Sequence, residues 1–193
     1  MNTIRGFTVL ELIVVVAILA VLLSMGVPAM ISQINKSRLK GAVEAGYSHL
    51  QLAKSEAILR NKKMNINIKK GDNWCLGMTD QNRTCDCTAA VTSTNACVVD
   101  GSLRVVKGVD YPNVTLRSNL GTGSTFNFTF DDIRGMPQSG NTFVNGTMTY
   151  VNPDNLYISV VMSRLGMVRV CSNPNHSNPQ GVHGYPKDCT VAP

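Results

Sequence analysis

Arg5-Gly6-Phe7-Thr8-Val9-Leu10-Glu11-Leu12 opens a long apolar run, and Glu11 is the only ionisable side chain from Phe7 to Ile31. A run of that length predicts one membrane-spanning helix, rising about 1.5 Å per residue. A carboxylate within such a span costs about 2.5–3.5 kcal/mol at the helix centre and less toward an end, so Glu11 calls for a cationic partner. None lies inside the span, and Arg5 sits nearly two turns back, on the far side of Gly6. Cleavage after Gly6 would supply a better one: the new ammonium of Phe7 could pair with Glu11 of its own or a neighbouring chain.

The segment Gly6-Phe7-Thr8-Val9-Leu10-Glu11 resembles the processing site of type IV prepilins and related pseudopilins. In those chains a short charged leader ends in Gly and is followed by Phe, with Glu at the fifth mature position. The resemblance implies that a prepilin peptidase removes residues 1–6 and methylates Phe7. It implies a bacterial inner-membrane location, single-pass with a periplasmic head, and later a pilus fibre or pseudopilus. An ordinary secretory signal loses its apolar region at the cut. Here the apolar region is retained.

With 7–31 assigned to the bilayer, about 160 residues remain, enough for one ordinary domain. Eighteen Lys and Arg against twelve Asp and Glu give a net charge of +6. That is a modestly basic surface, not a nucleic-acid-binding tail. All six cysteines, Cys75, Cys85, Cys87, Cys97, Cys171 and Cys189, lie beyond the apolar run. An even count in an exported head favours disulfides. Four of them between 75 and 97 allow three pairings, while Cys171 with Cys189 would close the C-terminal loop. Cys85-Asp86-Cys87 lacks zinc-type spacing, and His176 and His183 are remote in sequence; no metal and no cofactor is implied.

Pro28 interrupts the end of the apolar run and predicts a hinge, because it removes an internal hydrogen bond. Beyond it Ile31, Ile34, Leu39, Ala42, Val43, Gly46, Tyr47, Leu50, Ala53, Ala57 and Ile58 recur at three- and four-residue steps. This periodicity predicts an amphipathic helix to about Arg60. His49 is expected on its solvated side. Then the period becomes two: 64–68 and 125–130 alternate apolar and polar residues, predicting strands with one face to a core and one to water. Further strands are expected at 73–78, 103–106, 114–117, 147–151, 156–162 and 167–171, separated by turn residues that favour antiparallel pairing. Residues 79–95 and 172–193 read as disulfide-tethered loops. The predicted fold is α+β: a long N-terminal helix, transmembrane then amphipathic, packed on an antiparallel β-sheet head. The expected divisions are a leader at 1–6, a transmembrane helix at 7–31, an amphipathic half-helix at 32–62 and a β-rich periplasmic head at 63–193.

Two head segments, Phe130-Asp131-Asp132-Ile133-Arg134-Gly135 and Gly166-Met167-Val168-Arg169-Val170-Cys171, resemble those of the pseudopilin H and FimT/FimU minor-pilin family. Together with the start, the resemblance implies the type IV pilin fold. It implies a structural role as a minor pilin whose helix enters a bundle of other pilins, at a fibre tip or in the complex that primes assembly. A pseudopilin of a type II secretion system is the alternative. Some relatives carry Gly-Arg-x-Arg on the late strand and hold DNA there during transformation. Met167 replaces the first of those arginines, which removes a phosphate contact and argues against DNA as a partner; Arg164 and Arg169 remain as candidates. Catalysis has no support: His49, His176 and His183 lack a nucleophilic partner, and Asp131 and Asp132 read as a turn or cap. Four Asn-x-Thr triplets, at Asn82, Asn113, Asn127 and Asn145, read as chance in an Asn- and Thr-rich sheet.

Overall fold

The computed structural model describes residues 8–172, 181–187 and 189, with the side chains of 25–29 excepted. A single helix, α1, spans Val9–Arg60, 52 residues, about 78 Å at 1.5 Å per residue. It starts at Thr8, whose hydroxyl accepts from the Glu11 amide at 3.3 Å, and ends at Asn61, which takes the left-handed conformation. Asn tolerates that conformation well, and its N–H closes onto the carbonyls of Ala57 and Ile58. Helical backbone continues across position 28; the side chain of Pro28 lies outside the described residues.

The head follows as β1 (Met64–Lys69), β2 (Cys75–Thr79), β3 (Val98–Val99), β4 (Ser102–Leu103), β5 (Val105–Lys107), a 3-10 turn at Gly108–Asp110, and β6 (Thr115–Ser118). It continues as β7 (Thr125–Phe130), β8 (Pro137–Ser139), β9 (Thr142–Phe143), β10 (Gly146–Val151), β11 (Tyr157–Met162) and β12 (Val168–Cys171). Strands form in all eight expected stretches, although 103–106 is divided at Arg104 between β4 and β5, whereas β3, β8 and β9 are too short to show a period. Instead of the single sheet that the sequence predicts, two principal ones form among the described residues. Their orders are β5-β2-β1-β7-β8-β9 and β12-β11-β10-β6, with β3-β4 as a separate ribbon. Neighbouring strands in these orders pair antiparallel.

The two sheets meet where the Gly71 N–H and C=O both bond to Leu116, at 2.9 and 3.0 Å. Beside this junction Trp74 donates to the Val114 carbonyl at 2.8 Å and stands edge-on to Tyr150 at 5.2 Å. The C-terminal half of α1 touches both sheets. Its buried stripe is Leu39, Ala42, Val43, Leu50, Ala53 and Ala57, and each larger side chain contributes about 1.5–3 kcal/mol on burial. The alanines and Gly46 let the helix lie close: a β-carbon at Gly46 would collide with the Tyr150 hydroxyl.

Two expectations are corrected here. His49 is buried, not solvated: helical stepping carries it onto the same side as Leu50 and Ala53, and its Nε2 has no hydrogen-bond partner. The polar side of β1 does not face water at Asn67, which is also buried. Its amide donates to the Asn127 side chain at 2.7 Å, and its oxygen accepts from the Cys87 amide at 3.2 Å. The cysteine-rich loop therefore covers the second face of this sheet, resting over Gly77, where a β-carbon would strike Cys97.

Candidate subunit-assembly site

The first half of α1 carries the chemistry that the sequence singled out. From Val9 to Leu23 its large apolar side chains are exposed, 75% at Val9 and 62% at Leu23, because nothing in the head reaches them. Glu11 occupies the first helical turn. There the unpaired N–H groups of the helix end favour an anion, a local support that periodicity does not reveal. The spacing Thr8-x-x-Glu11 is the signal that reveals it, that of a capping box. Gly6 and Phe7 lie outside the described residues, so the processing site and the ammonium proposed for Glu11 lie there too. Among the described residues no helix is long and apolar enough to cross a membrane.

At the opposite end of α1 the structure joins the two head motifs, which the sequence separates by about thirty residues. The Asp131 carboxylate accepts backbone N–H groups of Ile133 at 2.8 Å, Arg134 at 3.2 Å and Met136 at 3.1 Å. Desolvation pushes its pKa up, but those donors pull it below the ordinary value. It is the turn clamp expected from sequence, not half of an acid pair. Gly135 and Gly166, with φ of 63° and 73°, pack so closely that a β-carbon on Gly166 would meet the Gly135 carbonyl. Lys54 of α1 closes the assembly by donating to the Gly166 carbonyl at 2.8 Å. Arg164 and Arg169 are both exposed nearby, as is Met167.

Three disulfides hold the loops: Cys75–Cys87, Cys85–Cys97 and Cys171–Cys189. The first two overlap in sequence and pin the 79–97 segment across β2. The third ties the end of β12 to the C-terminal segment.

A helix with one half stripped of cover and the other half seated on antiparallel sheets defines the type IV pilin fold, that of a structural subunit. The family described as Type II transport protein GspH matches residues 42–166, and the Prokaryotic N-terminal methylation motif matches residues 1–27. The chain belongs to the GspH family, which comprises pilin-type structural subunits and is not an enzyme family. Two crystal structures of the type IV minor pilin FimU of Pseudomonas aeruginosa (strain PAO1) are similar to it, each with a TM-score of 0.44 and 17% identity. One match covers 74% of this chain and 98% of that chain, the other 75% and 95%. No curated protein matches the sequence.

Proposed function

We propose that the chain is a minor pilin of a type IV pilus, held by its N-terminal helix in a bundle of pilin helices, where it initiates assembly or caps the fibre tip. The observation that carries this reading is the bare apolar half of α1, from Val9 to Leu23, with Glu11 in its first turn. Isolated apolar surface of that extent requires lipid or other helices around it. In the membrane, prepilin peptidase removes residues 1–6 and methylates Phe7. In the fibre, Glu11 pairs with the Phe7 amine of an adjacent subunit, and packing of the apolar faces supplies the remaining cohesion. Pro28 acts as the hinge between the membrane half and the head half.

Glu11→Ala should leave the protein in the inner membrane and reduce its recovery in sheared fibres at least tenfold. Normal recovery would contradict the pairing. The description of the matching family favours a second reading, a pseudopilin H in the periplasmic piston of a type II secretion system. Comparing piliation with exoprotein release in a deletion strain separates the two. A DNA-binding role rests on Arg164 and Arg169 alone; failure of the detergent-solubilised full chain to shift DNA at low salt would remove it.

A further inference from the structure

The joined turns at the far end of α1 form a surface that the helix-bundle function leaves unused. Ile133 is 74% exposed, Leu165 59%, Met167 44% and Ile58 43%. Gly135 abuts both Ile58 and Gly166, so these side chains flank one contact instead of being scattered. Arg134, Arg164 and Arg169 are exposed around them, while the two acids of the same turn are drawn inward, Asp131 buried in its clamp and Asp132 partly buried. The backbone beneath is fixed by the Asp131 clamp and by Lys54, so presenting the surface costs little ordering.

We propose that this surface docks the head of a different pilin-type subunit, one that offers an acidic segment with an apolar centre. The proposal rests on the minor-pilin reading. An apolar middle with an arginine rim has the composition of a protein interface. A second copy of this chain is disfavoured, since it would bring the same cations face to face. DNA is disfavoured for another reason: phosphates satisfy arginines but give Ile133, Leu165 and Met167 nothing to bury against. Position agrees with a subunit contact. Ile58 lies about 40 Å along the axis from Ile31, at the end of the head remote from the anchor, where the next subunit in a stack would reach.

The test is photo-crosslinking in cells with the full-length chain, benzoylphenylalanine replacing Ile133 or Leu165, and replacing Val109, 75% exposed elsewhere on the head, as control. Positions 133 and 165 should crosslink to another pilin-type subunit at an acidic segment identified by mass spectrometry. Adding Arg134→Glu with Arg164→Glu should lower the yield at least tenfold, with protease resistance of the head unchanged. The proposal is overturned by equal yield from position 109, by insensitivity to charge reversal, or by crosslinks to nucleic acid or to a second copy. Recovery of the chain in sheared fibres is scored in parallel. Fibres that contain the chain but give no crosslink from 133 or 165 overturn the surface and leave the pilin reading standing. Absence of the unsubstituted chain from every fibre and pseudopilus fraction overturns both.

Discussion

Lowering the pH should destabilise the head through His49 before any carboxylate responds. Its imidazole is buried with an unpartnered Nε2, and burial, with a smaller contribution from Arg104, depresses its pKa from 6.5 to about 4. Above 6.5 the ring is neutral in both states and adds no pH dependence. Between 6.5 and 4 the unfolded chain binds a proton that the native chain refuses, so stability falls as pH falls. At about 1.4 kcal/mol per pH unit the loss reaches about 3 kcal/mol, then levels off. That is a large share of the 5–15 kcal/mol typical of a domain. Trp74, the sole tryptophan and itself buried, reports unfolding by its fluorescence. Denaturant titrations of the full chain in detergent should show the slope, and His49→Leu should abolish it. An equal slope in the variant, or a flat profile in the unsubstituted protein, would refute the reasoning.

Tyr150→Phe should raise stability by about 1 kcal/mol, since it removes a buried hydroxyl without a partner. Gly46→Ala should lower it by about 1–3 kcal/mol despite the better helix propensity, because its new methyl meets that hydroxyl; combining the two should recover most of the loss in thermal melts. Asp131→Ala strands three backbone donors and should cost about 1–3 kcal/mol. Since the folded-state pKa of Asp131 is depressed, its contribution is present at neutral pH and fades only below about 4, which separates it from His49. Replacing Cys85 and Cys97 together with Ser should cost about 2–4 kcal/mol. Non-reducing peptide mapping of the intact chain should return the pairs 75–87, 85–97 and 171–189; any other pairing would contradict the loop's placement over Gly77.

Local pattern carried the elements, because each is encoded within its own residues. The change from three- and four-residue steps to two-residue steps near position 64 separates helix from strands, and the apolar run around Glu11 marks the half of α1 that the head leaves uncovered. Spacing could not say how strands sort into two sheets, since pairing of Leu116 with Gly71 joins distant segments. It could not choose among three disulfide pairings, which depend on how the loop crosses β2. The burial of His49 is not legible in the helix pattern, because its neighbours on the helix include polar residues and only the approach of the sheets decides which side of a broad stripe is covered. The meeting of Gly135 with Gly166 belongs to tertiary structure in the same sense: two turns become one surface when α1, through Lys54, holds both. The sequence thus determined by itself which residues form a helix, which stretch of that helix is apolar all round, and which segments are extended, all consequences of short-range periodicity and solvation. Tertiary structure alone decided which polar groups are buried and which distant residues touch, because those depend on contacts between segments far apart in the chain.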